Sequence, residues 1–178
     1  MARETLFQLH HLQQNSLKCR GFTLLELIIA MSVMVVLLGA AVPSFSDLIE
    51  RNKIKRLATE IEWLLVHAKS EAVMRGDNVQ VAINDAGTPT WSIISKTTSG
   101  AVTLAEISSE NFSNIELNTT FRTGVVTFNK LNGKPNFSGG YQFNIPTKDK
   151  VKVAVNTMTG RIYSCGVDGA IYGYKECY

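Results

Sequence analysis

The sequence is short of the residues that carry out chemistry. Histidine occurs three times in 178 residues, as His10, His11 and His67, and cysteine three times, as Cys19, Cys165 and Cys177. One histidine outside the first eleven residues leaves no Cys/His set with metal-ligand spacing. A Ser-His-Asp arrangement could be assembled only through His67, which stands inside a helical pattern with no supporting motif. There is no G-x-x-x-x-G-K-[ST] loop, and the acids are scattered rather than alternating around a glycine as a Ca²⁺ loop requires. The chain is expected not to be an enzyme, and to need no cofactor or metal.

One feature is abundant. From Phe22 to Val42 the chain is apolar apart from a single acid, Glu26, with Lys18, Arg20 and Gly21 just before it. About 20 such residues span the hydrocarbon core of a bilayer. A secretory signal would have a shorter apolar core, although Gly39-Ala40-Ala41 could pass for its cleavage site. A plain anchor fits the length. Neither explains Glu26, because an acid inside a spanning helix costs roughly 2.5–3.5 kcal/mol at its centre. Basic flanks stay cytoplasmic, so Lys18 and Arg20 orient the run and place the rest of the chain on the exported side. Disulfides persist there. Cys165 and Cys177 are therefore expected to pair, the alternative being two free buried thiols, while Cys19 stays on the reducing side.

The stretch "RGFTLLELIIAMSVMVVLLGAAVP", residues 20–43, resembles the class III leader of type IV prepilins and type II secretion pseudopilins. The resemblance implies that a prepilin peptidase cuts between Gly21 and Phe22, and that Phe22 becomes an N-methylated amino terminus. Glu26 is then the fifth mature residue. A carboxylate one turn into a helix is tolerated by the positive helix end. In a filament it could pair with a neighbour's Phe22 amine, so its charge would be satisfied by assembly.

Beyond Pro43, "SFSDLIERNKIKRLATEIEWLLVHAKSEAVMRG" places Phe45, Leu48, Leu57, Ile61, Leu64, Leu65, Ala68 and Ala72 at helical steps, with charged residues on the other faces. The pattern predicts one helix from Phe22 to Arg75, stopped at Gly76. Period-two alternation comes next in "NVQVAIN", "TWSIIS", "AVTLAEI", "VVTF", "YQFNI" and "KVKVAV", separated by turn-rich segments. The expected class is α+β, a long helix packed on a small antiparallel sheet. The expected divisions are a removed leader (1–21), a membrane and filament-core helix half (22–43), an amphipathic half (44–76) and a β-rich domain (77–178).

The segment "RLATEIEWLLVHAKSEAVMRGDNVQVAI", with Trp91 after it, is similar to the GspH/FimT family of minor pilins and pseudopilins. The family's helix pattern falls on Leu64, Leu65, Ala68, Lys69, Glu71, Ala72 and Arg75, with Lys69 where arginine is commoner. The resemblance implies a type IV pilin-like fold and a structural role at or near the tip of a type IV pilus, priming its assembly for twitching, adhesion or DNA uptake. The implied partners are the prepilin peptidase, other minor pilins, the major pilin and the inner-membrane assembly platform. The implied location is the bacterial inner membrane, amino terminus cytoplasmic and globular domain periplasmic, and later the fibre. A C-terminal segment bounded by a cysteine pair favours pili over the alternative, a GspH-like minor pseudopilin of type II secretion.

A third possibility is DNA binding, as in FimT-like proteins of natural transformation. Residues 43–121 sum to −3, whereas residues 122–178 sum to +5. Lys148, Lys150, Lys152, Arg161 and Lys175 are the candidate phosphate contacts, with tyrosines among them for stacking. The family's DNA-binding GRxR motif is incomplete here, because Gly160 and Arg161 are succeeded by Ile162 and Tyr163.

Overall fold

The structure is a computed structural model describing residues 21–146 and 148–178, with side chains 40–44 also outside the description. The chain divides into two compact units, Met1–Ser44 and Phe45–Tyr178. Helix α1 runs Leu24–Arg75. Among the described residues no helix is long and apolar enough to cross a membrane. In the first unit the described part of the helix is apolar all round, and Leu25, Ile28, Met31, Val35 and Leu38 are all exposed.

In the second unit, helical spacing becomes a buried stripe. Ile54, Leu57, Ala58, Ile61, Leu64, Leu65, Ala68 and Ala72 recur at three- and four-residue steps, and all are buried. Each leucine or isoleucine contributes about 1.5–3 kcal/mol by leaving water. Phe45 and Leu48, expected on this stripe, are 63% and 54% exposed, whereas Ile54 is 1% exposed. Helical period alone could not say where cover by the sheets begins. The helix stops at Gly76, whose φ of 62° favours glycine.

Eight strands follow among the described residues: β1 Val79–Asn84, β2 Ser92–Thr97, β3 Thr103–Ser108, β4 Glu116–Thr119, β5 Val125–Phe128, β6 Gly139–Asn144, β7 Val151–Val155 and β8 Ile162–Gly166. They form two antiparallel sheets rather than one, ordered β3-β2-β1-β5 and β4-β6-β7-β8. β4 and β8, the edges of the second sheet, escaped the sequence pattern, whereas the first sheet's edges β3 and β5 did not. β4 buries only Leu117, and β8 carries small and polar residues, so neither alternates clearly. The sheets and helix share one core, where Trp91, Phe112, Phe128, Tyr141 and Phe143 face the helical stripe. The Tyr141 hydroxyl donates to the Val81 carbonyl at 3.2 Å, joining β6 of one sheet to β1 of the other.

Candidate functional site

The amino end of α1 is built by a local sequence device. Thr23 precedes the helix, and its Oγ1 accepts a 3.2 Å hydrogen bond from the Glu26 N–H. Thr23-Leu24-Leu25-Glu26 therefore has the spacing of a capping box. The threonine satisfies one of the helix's free N–H groups, and the acid lies in the first turn, where the helix dipole favours negative charge. The helix thus starts two residues later than the pattern predicted, and Phe22 lies ahead of it. Phe22 is 81% exposed, and a Cβ added to Gly21 would meet nothing within 4 Å. Gly21, Phe22 and Glu26 therefore lie together at an open helix end. Lys18 and Arg20 lie outside the described residues. The capping role of Thr23 was missed in the sequence, although T-x-x-E before an apolar run was the signal for it.

The five candidate phosphate contacts separate in space. Lys148 donates to Glu50 and to Asp47, the latter at 3.3 Å, and these bonds, that to Glu50 first, raise its pKa. Its charge is thus matched by two acids on α1. Lys152 is half-buried on β7 opposite Cys165, and Lys150 is exposed just before that strand. Arg161 and Lys175 alone are brought together, in a hollow of about 470 Å³ shared with Tyr163, Tyr174 and Tyr178. The Arg161 guanidinium carbon lies 5.3 Å from the Tyr163 ring centroid, a cation–π contact.

Cys165 and Cys177 are joined in a disulfide, with Cα atoms 5.0 Å apart. The enclosed loop folds back on itself: Gly166 N–H donates to the Lys175 carbonyl at 2.8 Å, and Cys177 N–H to the Gly166 carbonyl at 2.9 Å. Polar contacts fasten α1 to this region and its neighbours. Ser164 Oγ donates to Glu62, and Lys69 Nζ donates to the Gly160 carbonyl at 3.0 Å.

His67 stacks on Trp63 with ring centroids 5.1 Å apart, and its Nε2 lies 3.8 Å from Glu71 Oε1. Its Nδ1 is buried without a partner. Glu71 itself is held below the ordinary carboxylate range, chiefly by its hydrogen bond from Arg75. Among the described residues no group of three or more His, Cys, Asp or Glu could hold a metal ion.

A helix apolar all round at its start, capped next to a lone acid, then packed on antiparallel sheets, defines a type IV pilin-like subunit. The Prokaryotic N-terminal methylation motif matches residues 16–42, which implies a membrane-anchored N-terminal helix. The chain belongs to the family described as Type II transport protein GspH, whose model matches residues 57–160. It is a minor pilin or pseudopilin of the GspH/FimT type, a structural subunit rather than an enzyme.

Among solved structures it is similar to the type IV minor pilin FimU of Pseudomonas aeruginosa strain PAO1 in two crystal forms. The P21 form has a TM-score of 0.52 at 18% identity, covering 64% of this chain and 89% of that one. The P65 form has a TM-score of 0.51 at 18% identity, covering 70% and 99%. The minor pseudopilin EpsH from the Type 2 Secretion System of Vibrio cholerae has a TM-score of 0.48 at 12% identity, covering 63% and 95%. At these identities the FimU likeness concerns the fold. No curated protein sequence matches the chain significantly.

Proposed function

We propose that this chain is a minor pilin of a type IV pilus that enters the fibre at or near its tip and helps to prime assembly. The observation that carries this is the exposed apolar start of α1, with one acid in its first turn beside Phe22. A helix apolar on every face must be covered, first by lipid and then by the helices of other subunits. A prepilin peptidase cutting after Gly21 removes residues 1–21 and creates the Phe22 amine, the site of N-methylation. Residues 22–43 then serve as anchor and filament core, residues 44–76 as the amphipathic half, and residues 77–178 as the exported domain. Lys18 and Arg20 keep the amino end cytoplasmic until the cut removes them with the leader. The Glu26 carboxylate pairs with a neighbour's Phe22 amine, a charge contact that exists only after cleavage and only in the assembled fibre. Other minor pilins, the major pilin and the inner-membrane assembly platform are the partners.

The test separates insertion from assembly. A Glu26→Ala chain should insert into the membrane normally and be depleted from sheared fibres. Normal incorporation would remove the pairing role. Deleting the chain should abolish pili and twitching while protein secretion continues; lost secretion with intact pili would make it a GspH-like pseudopilin instead.

A second role in DNA uptake is favoured by one observation, the hollow that Arg161 and Lys175 share with three tyrosines. Single-stranded DNA could place phosphates on the two cations and stack bases on the rings. Mobility shifts at low salt that vanish in an Arg161→Ala, Lys175→Ala double variant support it. The absence of any shift at low salt rules it out.

A further inference from the structure

The turn between β5 and β6 and the start of β1 surround a hollow of about 370 Å³ lined by Asn78, Thr127, Asn129, Asn132, Lys134, Pro135 and Asn136. All four asparagines use their side-chain oxygen in the same way. Asn136 Oδ1 accepts the Thr127 N–H at 2.8 Å, and Asn78 Oδ1 accepts the Lys130 N–H at 2.9 Å. Asn129 Oδ1 accepts the Leu131 N–H at 2.8 Å, and Asn132 Oδ1 accepts the Lys134 N–H at 2.9 Å. These bonds fix which end of each amide is which, since reversing one would set two donors against each other. Each asparagine is left with an NH₂ group, and among the described residues none of these four nitrogens donates to a protein acceptor.

The walls of the hollow are thus rich in donors. The lining residues carry four amide NH₂ groups and the Lys134 ammonium, with Asn129, Asn132, Lys134 and Asn136 exposed, while the four amide oxygens are already engaged. Asp77, the neighbouring acid in sequence, turns its carboxylate to the Ser99 N–H and hydroxyl. The loop is also held in place from behind: a Cβ on Gly133 would sit 3.1 Å from Lys69 Cγ and 3.3 Å from Val73 Cγ2. A neutral sugar hydroxyl both donates and accepts, and of the described lining side chains the Thr127 hydroxyl alone keeps an unengaged oxygen to accept from it. An oxyanion accepts only, and its hydrogen bonds with N–H donors are the stronger charge-assisted kind.

We propose that this hollow is an oxyanion-binding site that takes the carboxylate or phosphate group of a small ligand. It shares no lining residue with the Arg161–Lys175 hollow, and it does not depend on the role proposed for the chain in the fibre.

The side-chain amides provide the readout. The full chain, ¹⁵N-labelled in detergent micelles at low salt, is titrated with inorganic phosphate and separately with D-galacturonate. Saturable shifts of the four asparagine NH₂ signals with both probes assign the site to the shared oxyanion. Shifts with phosphate alone assign it to phosphorylated ligands, and with galacturonate alone to carboxylated ones. Asn132→Asp and Asn136→Asp keep the oxygen that caps the turn but replace the donor with negative charge. Each should weaken binding at least about tenfold. Asn114→Asp, the same charge change at an exposed residue outside the hollow, should alter affinity less than about twofold. No amide shift with either probe up to tens of millimolar, roughly the weak limit of specific binding, overturns the proposal. Unchanged binding in Asn132→Asp and Asn136→Asp overturns it equally.

Discussion

The Trp91 indole Nε1 donates a 2.8 Å hydrogen bond to the Ile115 carbonyl inside the core. Trp91 precedes β2 in the first sheet, and Ile115 precedes β4 in the second, so the bond ties the entry of one sheet to the entry of the other. The ring is fully buried and stacks with Phe112 at a centroid distance of 6.3 Å. Trp91→Phe should keep most of the apolar contact but leave the carbonyl unpaired in a dry site. A stability loss of about 1–3 kcal/mol is expected for the unpaired carbonyl alone, read as a lower denaturation midpoint with unchanged slope.

Tyr141 sets the alkaline limit of the fold. Burial raises its phenol well above the ordinary tyrosine value. The folded state therefore retains a proton that the unfolded chain releases near pH 10. Its contribution is complete below that pH and is lost as pH rises through the folded value. Tyr141→Phe also forgoes the bond to Val81, so it should be less stable at neutral pH. Its stability should nonetheless fall less steeply than the wild type above pH ~10, as denaturation at a series of pH values would register.

Asp77 acts at the acid end. Its carboxylate is held below the ordinary value, chiefly by the hydrogen bond from the Ser99 hydroxyl. That contribution is present above the ordinary carboxylate range and disappears as pH falls through the lowered folded value. Ser99→Ala should flatten this part of the stability profile between pH ~5 and pH ~2 and leave the alkaline side unchanged. An unaltered acid limb would contradict the assignment.

The disulfide closes a short loop, the two cysteines being twelve positions apart. Replacing Cys165 and Cys177 with serine should cost about 3 kcal/mol in the chain-entropy view. Hydrogen exchange should speed up first at Gly166, Ile171, Tyr174 and Cys177, whose N–H groups bond within the loop, while β1 and β2 remain protected.

The helix and the central strands were legible because burial on one face writes a period into the sequence, as at Leu57, Ile61, Leu64 and Ala68 or at Val79 and Val81. The edge strands β3 and β5 carried enough apolar residues to be read, but β4 and β8 left no such trace. β4 buries a single residue, and the division into two sheets depended on the strands that were missed. The amino end of α1 was legible as composition, with Gly21, Phe22 and Glu26 standing out, yet the cap at Thr23 set the helix start. The charge count of the last third could not reveal that Lys148 faces Asp47 and Glu50, because those partners lie about a hundred positions away. The asparagine-lined hollow carries no net-charge or periodic signal, because Asn78 joins it by a bond to backbone 52 positions away and Asn136 by one nine positions away.

The central claim is that this chain becomes a filament subunit through a cut that exposes Phe22 beside Glu26. It is tested most directly by intact mass and N-terminal fragment spectra of the membrane-bound protein from its native cells. The account predicts a chain beginning at Phe22 and carrying one methyl group on its amine. A chain still beginning before Gly21, or one cut near Ala41 with the apolar run removed, would contradict it.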